Sequence, residues 1–67
     1  MNTVKLNTIL RLPAVIKRTG LSKSSIYAFI ANRKFPRPIS LGERAVGWSE
    51  YDIDRWIECK ILESAGK

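Results

Sequence analysis

The sequence holds no histidine and a single cysteine, Cys59, in 67 residues. Without histidine there is no Ser-His-Asp or Cys-His site. One cysteine allows no internal disulfide, and one cysteine with no histidine leaves no zinc-finger ligand set. Long apolar runs are missing as well. The longest, Ile26 to Ala31, falls far short of the roughly 20 residues that span a bilayer. The amino-terminal residues offer no continuous apolar stretch of the signal-peptide kind. Together these absences predict a reduced, cytoplasmic setting and a protein that is not an enzyme, with no cofactor or metal. The length leaves no room for a Rossmann or barrel enzyme. It predicts one domain over residues 1–67, with a core over about 9–61 and flexible ends at Met1 to Thr8 and Ser64 to Lys67.

Acid is the next absence. Residues 1–42 carry Lys5, Arg11, Lys17, Arg18, Lys23, Arg33, Lys34 and Arg37 and no carboxylate, a balance of +8. Residues 43–67 carry four basic against six acidic side chains, a balance of −2, and the whole chain is +6. Hydrophobic residues make up 45% of the sequence, enough for a folded domain rather than a disordered tail. A folded domain with one purely cationic part is expected to meet an anion, and nucleic acid is the abundant one. The plainer reading, a charged face kept for solubility, fits poorly with so long a stretch free of acid.

The order of elements sharpens this expectation. Ile9 to Leu12 reads as a short N-terminal edge strand. Pro13 suits the first turn of a helix that runs through Arg18, with Val15 and Ile16 facing a core. Lys17 and Arg18 favour its carboxyl-terminal dipole, and Gly20 ends it in the left-handed conformation. Leu21 anchors the turn and Ser22 caps a second helix. Ile26, Phe29 and Ile30 form the buried stripe of that helix, leaving Lys23, Ser24, Tyr27, Ala28 and Ala31 off it. Asn32 is expected to take the left-handed cap, and Pro36 stops any continuation. Ile39 to Leu41 and Val46 to Trp48 alternate as strands around a hairpin tip at Gly42-Glu43-Arg44. Ser49 caps a third helix, with Asp52 completing a capping box and Ile53, Trp56, Ile57 and Ile61 as its stripe. Trp48 and Trp56 are expected in the core, and Cys59 as an inert thiol that is either partly buried or an incidental surface residue. The carboxylates of the third helix fit helix charging rather than catalysis.

Helix, turn, helix, hairpin, helix is the plan of a small α+β winged helix-turn-helix: three helices, a β-hairpin wing and a short N-terminal strand. Such a fold presents its second helix to the major groove. Ser22, Lys23, Ser24 and Ser25 form a low amino end suited to phosphates, and Tyr27 can meet a sugar or a thymine methyl. Arg33, Lys34 and Arg37 suit phosphate contacts, and Arg44 a narrow minor groove. Arg44 paired with a nearby carboxylate is the competing reading for that residue.

The blocks Arg11-Leu12-Pro13, Thr19 to Tyr27, Lys34 to Pro38, Leu41 to Trp48 and Glu50 to Ile57 resemble the AlpA family of prophage regulatory proteins. Those are winged-helix proteins related to phage excisionases and, more distantly, to the MerR-type DNA-binding domain. The resemblance covers about Ile9 to Ile61. It implies a sequence-specific, nucleoid-associated DNA-binding regulator of a prophage or genomic island. Such a protein activates an integrase gene or acts as an excisionase. Its partners are double-stranded DNA at a promoter or attachment site, and an integrase or neighbouring copies on DNA. The resemblance also marks two departures. Ala28 stands where the family often has a long basic side chain, and Arg33 stands where a glycine is frequent. A protein-binding module, holding a regulator or integrase through the same fold, is the alternative function.

Overall fold

The computed structural model describes residues 8–66. The expected looseness of Met1 to Asn7 and of Lys67 lies outside them. Six elements follow in order: β1 (Ile9–Leu10), α1 (Leu12–Thr19), α2 (Lys23–Ala31), β2 (Ile39–Gly42), β3 (Ala45–Ser49) and α3 (Glu50–Ala65). The three strands form one antiparallel sheet with β3 in the middle. Leu10 pairs with Trp48 on one side of β3, and Ile39 pairs with Gly47 on the other. This is the expected small α+β winged-helix architecture.

The first strand is shorter than predicted. Arg11 is extended and its carbonyl accepts from the amides of Ala14 and Val15, so the helix begins at Leu12 rather than at Pro13. Proline fixes φ near the helical value, which favours winding this segment over extending it. Gly20 closes α1 with φ 76°, donating its amide to the Ile16 carbonyl at 2.8 Å, as the sequence predicts. Thr19 locks the turn that follows. Its hydroxyl donates to the Val15 carbonyl and accepts from the Leu21 amide. The hairpin turn is tighter than expected, with Glu43 and Arg44 alone between the paired residues Gly42 and Ala45. An irregularity between Ser40 and Gly42 absorbs the change of register.

Five residues make the core: Val15, Ile26, Phe35, Trp48 and Ile53. They come from α1, α2, the segment before the hairpin, β3 and α3, so each layer contributes one. Leu10, Leu12, Ile16, Leu21, Phe29, Ile30, Trp56 and Ile57 pack around them. Trp48 is fully buried; truncating such a residue to alanine costs about 3–5 kcal/mol, a large part of the stability of a domain this size.

The third helix departs from expectation at its far end. Ser49 accepts from the Asp52 amide, as a cap should. The helix then runs on through Ser64 and Ala65 instead of fraying at Ser64. Ile61, expected in the buried stripe, is 61% exposed. Its spacing is right, but it lines a surface depression with Arg18 and Thr19 of α1 instead of packing into the core. At the near end Thr8 is tied down, since its carbonyl accepts from the Glu50 amide at 2.8 Å.

Gly47 sits where the strands crowd most. A Cβ there would collide with Cγ2 of Ile9 and lie 3.1 Å from both the Leu10 carbonyl oxygen and Cδ1 of Leu41. The backbone oxygen cannot swing away as a side chain can. Gly47→Ala is therefore expected to destabilise the domain by about 1–3 kcal/mol, read as a lower urea midpoint with an unchanged slope.

Candidate nucleic-acid interface

Helix α2 turns its candidate interface, the side away from the core, outward. Ile26 is buried and Phe29 and Ile30 are half-buried, while Lys23, Ser24, Tyr27, Ala28 and Ala31 are exposed. These five positions lie on one side of a helix, and none is acidic. Ser22, also exposed, accepts from the Ser25 amide at 3.1 Å and hydrogen-bonds the Ser25 hydroxyl. The Ser22 and half-buried Ser25 hydroxyls are thus engaged with each other. Lys23 and Ser24 are the ones left facing outward among the predicted residues of this amino end.

The carboxyl end of α2 is built differently from expectation. Asn32 was the expected left-handed residue, but its φ is −93°. Arg33 takes that role with φ 60°. The Arg33 amide donates to the Ile30 carbonyl and the Lys34 amide to the Phe29 carbonyl, at 3.0 and 2.7 Å. That pair of bonds is a Schellman motif, whose left-handed position glycine normally fills. The chain needs one further residue to reverse direction, so the strain falls one position beyond Asn32. Arg33 and Arg37, both exposed, then line one depression with Ile30, Ala31 and Phe35. Lys34, also exposed, lines a second one with Trp56, Lys60 and Glu63, on the α3 side.

Two indoles hold the segment that joins these cations. Trp48 Nε1 donates to the Pro36 carbonyl at 3.1 Å, and Trp56 Nε1 to the Lys34 carbonyl at 2.8 Å. Trp48 meets the expectation of a core residue. Trp56 is half-buried and packs edge-on against Phe35, with ring centroids 4.9 Å apart.

Not all the cations are available. Arg18 forks between Glu50 and Asp54, joining the end of α1 to the start of α3. Its hydrogen bond to Glu50, then the charge of Asp54, hold its guanidinium above the ordinary arginine range. The guanidinium therefore stays charged throughout neutral pH, and the clasp does not switch on its account there. Arg11 donates Nε to the Val46 carbonyl at 2.9 Å. Both arginines serve the fold: Arg18, expected to favour the dipole of α1, also reaches α3, and the bond of Arg11 to the hairpin has no counterpart among the expectations. The one local signal for the clasp was the spacing of Glu50 and Asp54, four apart on one helix face. Among the described residues Lys23, Arg33, Lys34, Arg37 and Arg44 make no side-chain hydrogen bond or ion pair. The competing ion pair for Arg44 is thus not formed there, and Arg44 stands exposed at the hairpin turn, apart from the other four. Cys59 is exposed, the surface position of the two expected for it, and no group of metal-ligating side chains occurs among the described residues. No helix in them is long and apolar enough to cross a membrane.

A helix-turn-helix with an acid-free second helix, followed by a β-hairpin, defines the winged-helix class. Within that class the chain belongs to the AlpA family: the family model described as prophage CP4-57 regulatory protein (AlpA) matches residues 8–61. The chain is 39% identical over 70 aligned positions to the DNA-binding transcriptional activator AlpA of Escherichia coli strain K12, covering 92% of this chain and all of that one. It is 38% identical over 52 positions to the uncharacterized protein ORF88 of Enterobacteria phage P4, covering 78% of this chain and 59% of that protein.

Arg33→Gly and Arg33→Ala remove the same charge but differ in backbone. Alanine keeps the left-handed strain and glycine relieves it, against a larger loss of chain entropy. The glycine variant is expected to be the more stable by up to about 1 kcal/mol, read from paired thermal melts.

Proposed function

We propose that this protein is a sequence-specific DNA-binding transcriptional regulator of a prophage or genomic island. The observation that carries the reading is the exposed face of α2, free of acid and flanked by cations with no partner among the described residues. In this reading α2 enters the major groove, with Lys23, Ser24 and Tyr27 toward the bases and backbone. Ser22 and Ser25 shape its amino end, where the helix N–H groups attract a phosphate. Arg33, Lys34 and Arg37 neutralise phosphates, and the hairpin lays Arg44 on the backbone or in the adjacent minor groove. Ala28 puts no long side chain into the groove, so direct base readout is thin. Repeated sites and DNA shape then supply much of the specificity. The name of the Escherichia coli relative supports activation of a promoter. The finer reading is control of an integrase gene, or an excisionase role at attachment sites with integrase or neighbouring copies as partners, in the bacterial cytoplasm.

The test is a titration against the protein's own upstream DNA, the nearest attachment site and scrambled DNA, at two salt concentrations. A preference for a native site above about 100-fold, with a salt slope of about −4, is the expected outcome. Equal weak binding to all three sinks the reading and favours a protein partner instead. Lys23→Ala and Arg37→Ala are each expected to weaken binding on every sequence alike and to flatten the slope by about 1. Arg18→Gln is expected to lower the melting temperature while leaving that slope unchanged, because its charge is already held by Glu50 and Asp54.

A further inference from the structure

We infer that Trp56 is a positioning residue for the anion-binding pair Arg33 and Arg37: its indole N–H holds the Lys34 carbonyl and so fixes the backbone from which both arginines project. This rests on the DNA-binding reading above and names the device by which the fold prepares that surface. Four observations converge on one short segment. Lys34 has its carbonyl bound by Trp56 and its amide bound by Phe29, at 2.8 and 2.7 Å. Phe35 is buried and meets the Trp56 ring edge-on. Pro36 has its carbonyl bound by Trp48. Arg33 and Arg37, the residues just outside this pinned stretch, line a common depression at the end of α2.

The physical consequence follows from entropy. An arginine pair on a free loop must be ordered when a phosphate arrives, and that cost is subtracted from affinity. Here the backbone between the two is already fixed, and only the side chains remain to be ordered. Trp48 also contributes, but it is fully buried and its loss would unfold the domain. Trp56 is half-buried and spans α3, α2 and the segment, so it is the one that can be altered.

Two variants separate the indole N–H from the ring. Trp56→Phe keeps an aromatic ring and removes the donor. Replacement of Trp56 by benzothienylalanine keeps the bicyclic shape and removes only the N–H, which covers the case in which phenylalanine leaves a gap and the domain fails to fold. For the folded variant, amide exchange is measured without DNA, and binding to a duplex of scrambled sequence is measured at several salt concentrations. Faster exchange at the Arg33 and Lys34 amides, with several-fold weaker binding at every salt concentration, a salt slope unchanged because the same phosphates are neutralised and circular dichroism unchanged, is the expected result. Unchanged exchange and unchanged affinity overturn the inference. Faster exchange with unchanged affinity overturns it too, since the segment would then be pinned for the fold alone. If the unaltered protein shows no salt-dependent binding, the DNA reading itself fails, and the exchange data still decide whether Trp56 holds the segment.

Discussion

The fold depends on two indole N–H groups that reach the same short segment of chain, at Lys34 and Pro36. Between α2 and β2 the backbone has no ladder to satisfy its carbonyls, and Pro36 and Pro38 offer no N–H to neighbours. Trp48 reaches this segment from β3 and Trp56 reaches it from α3. Phe35 plugs inward between the two bonds. The sheet, the third helix and the end of the second helix are thereby docked onto one short stretch. With five core residues and no disulfide, the domain has little else to fix the angle between α2 and the hairpin. That angle decides whether both can lie on one cylinder of DNA.

Electrostatics divides the cations that tie α1 to its neighbours from those that flank α2 and tip the hairpin. Arg11 and Arg18 are consumed in tying α1 to the hairpin and to α3. Lys23, Arg33, Lys34, Arg37 and Arg44 are not consumed among the described residues, and they flank α2 and tip the hairpin. The +8 balance of the first 42 residues therefore overstates the cationic surface, because Arg18 cancels against carboxylates from the other part of the sequence. Exposed ion pairs are weak one at a time. The Arg18 fork joins two elements by two bonds, so it sets the geometry of a contact more than its strength. It also leaves α3 less acidic at its amino end than its sequence reads.

What was legible in the sequence was local. The Ser22 and Ser49 caps, Gly20, the apolar stripe of α2 and the hairpin all act over a few residues, and each stands where the pattern put it. What was hidden acts at a distance. The indole bonds close over 12 and 22 residues, and the Arg18 fork over 32 and 36. A tryptophan in a sequence advertises its area and not the direction of its N–H. Periodicity likewise shows which face of α3 is apolar but not how far along it the core extends, and so Ile61 was placed inside. The face of α2 was legible because exposure on a helix is the complement of its stripe. The bond between the Ser22 and Ser25 hydroxyls, with Ser25 half-buried, was not.

Arg33 is where local preference and placement disagree. A left-handed residue closing a Schellman motif favours glycine, and the strain of an arginine there is of order 1 kcal/mol or more. Glycine would relieve the backbone but remove one of the two guanidinium groups that line the depression beside α2. Asn32, one position earlier, has the side chain that tolerates the left-handed region, yet the chain does not use it. Moving the strained residue back to Asn32 would shift the Lys34 carbonyl away from Trp56 and the Phe35 ring out of the core. The strain is therefore set by the bonds on its carboxyl side rather than by the helix it ends. Because those bonds hold the turn whatever side chain sits at 33, the position is open to a charge. In the DNA-binding reading that charge stands at the end of α2, held in place before any phosphate arrives.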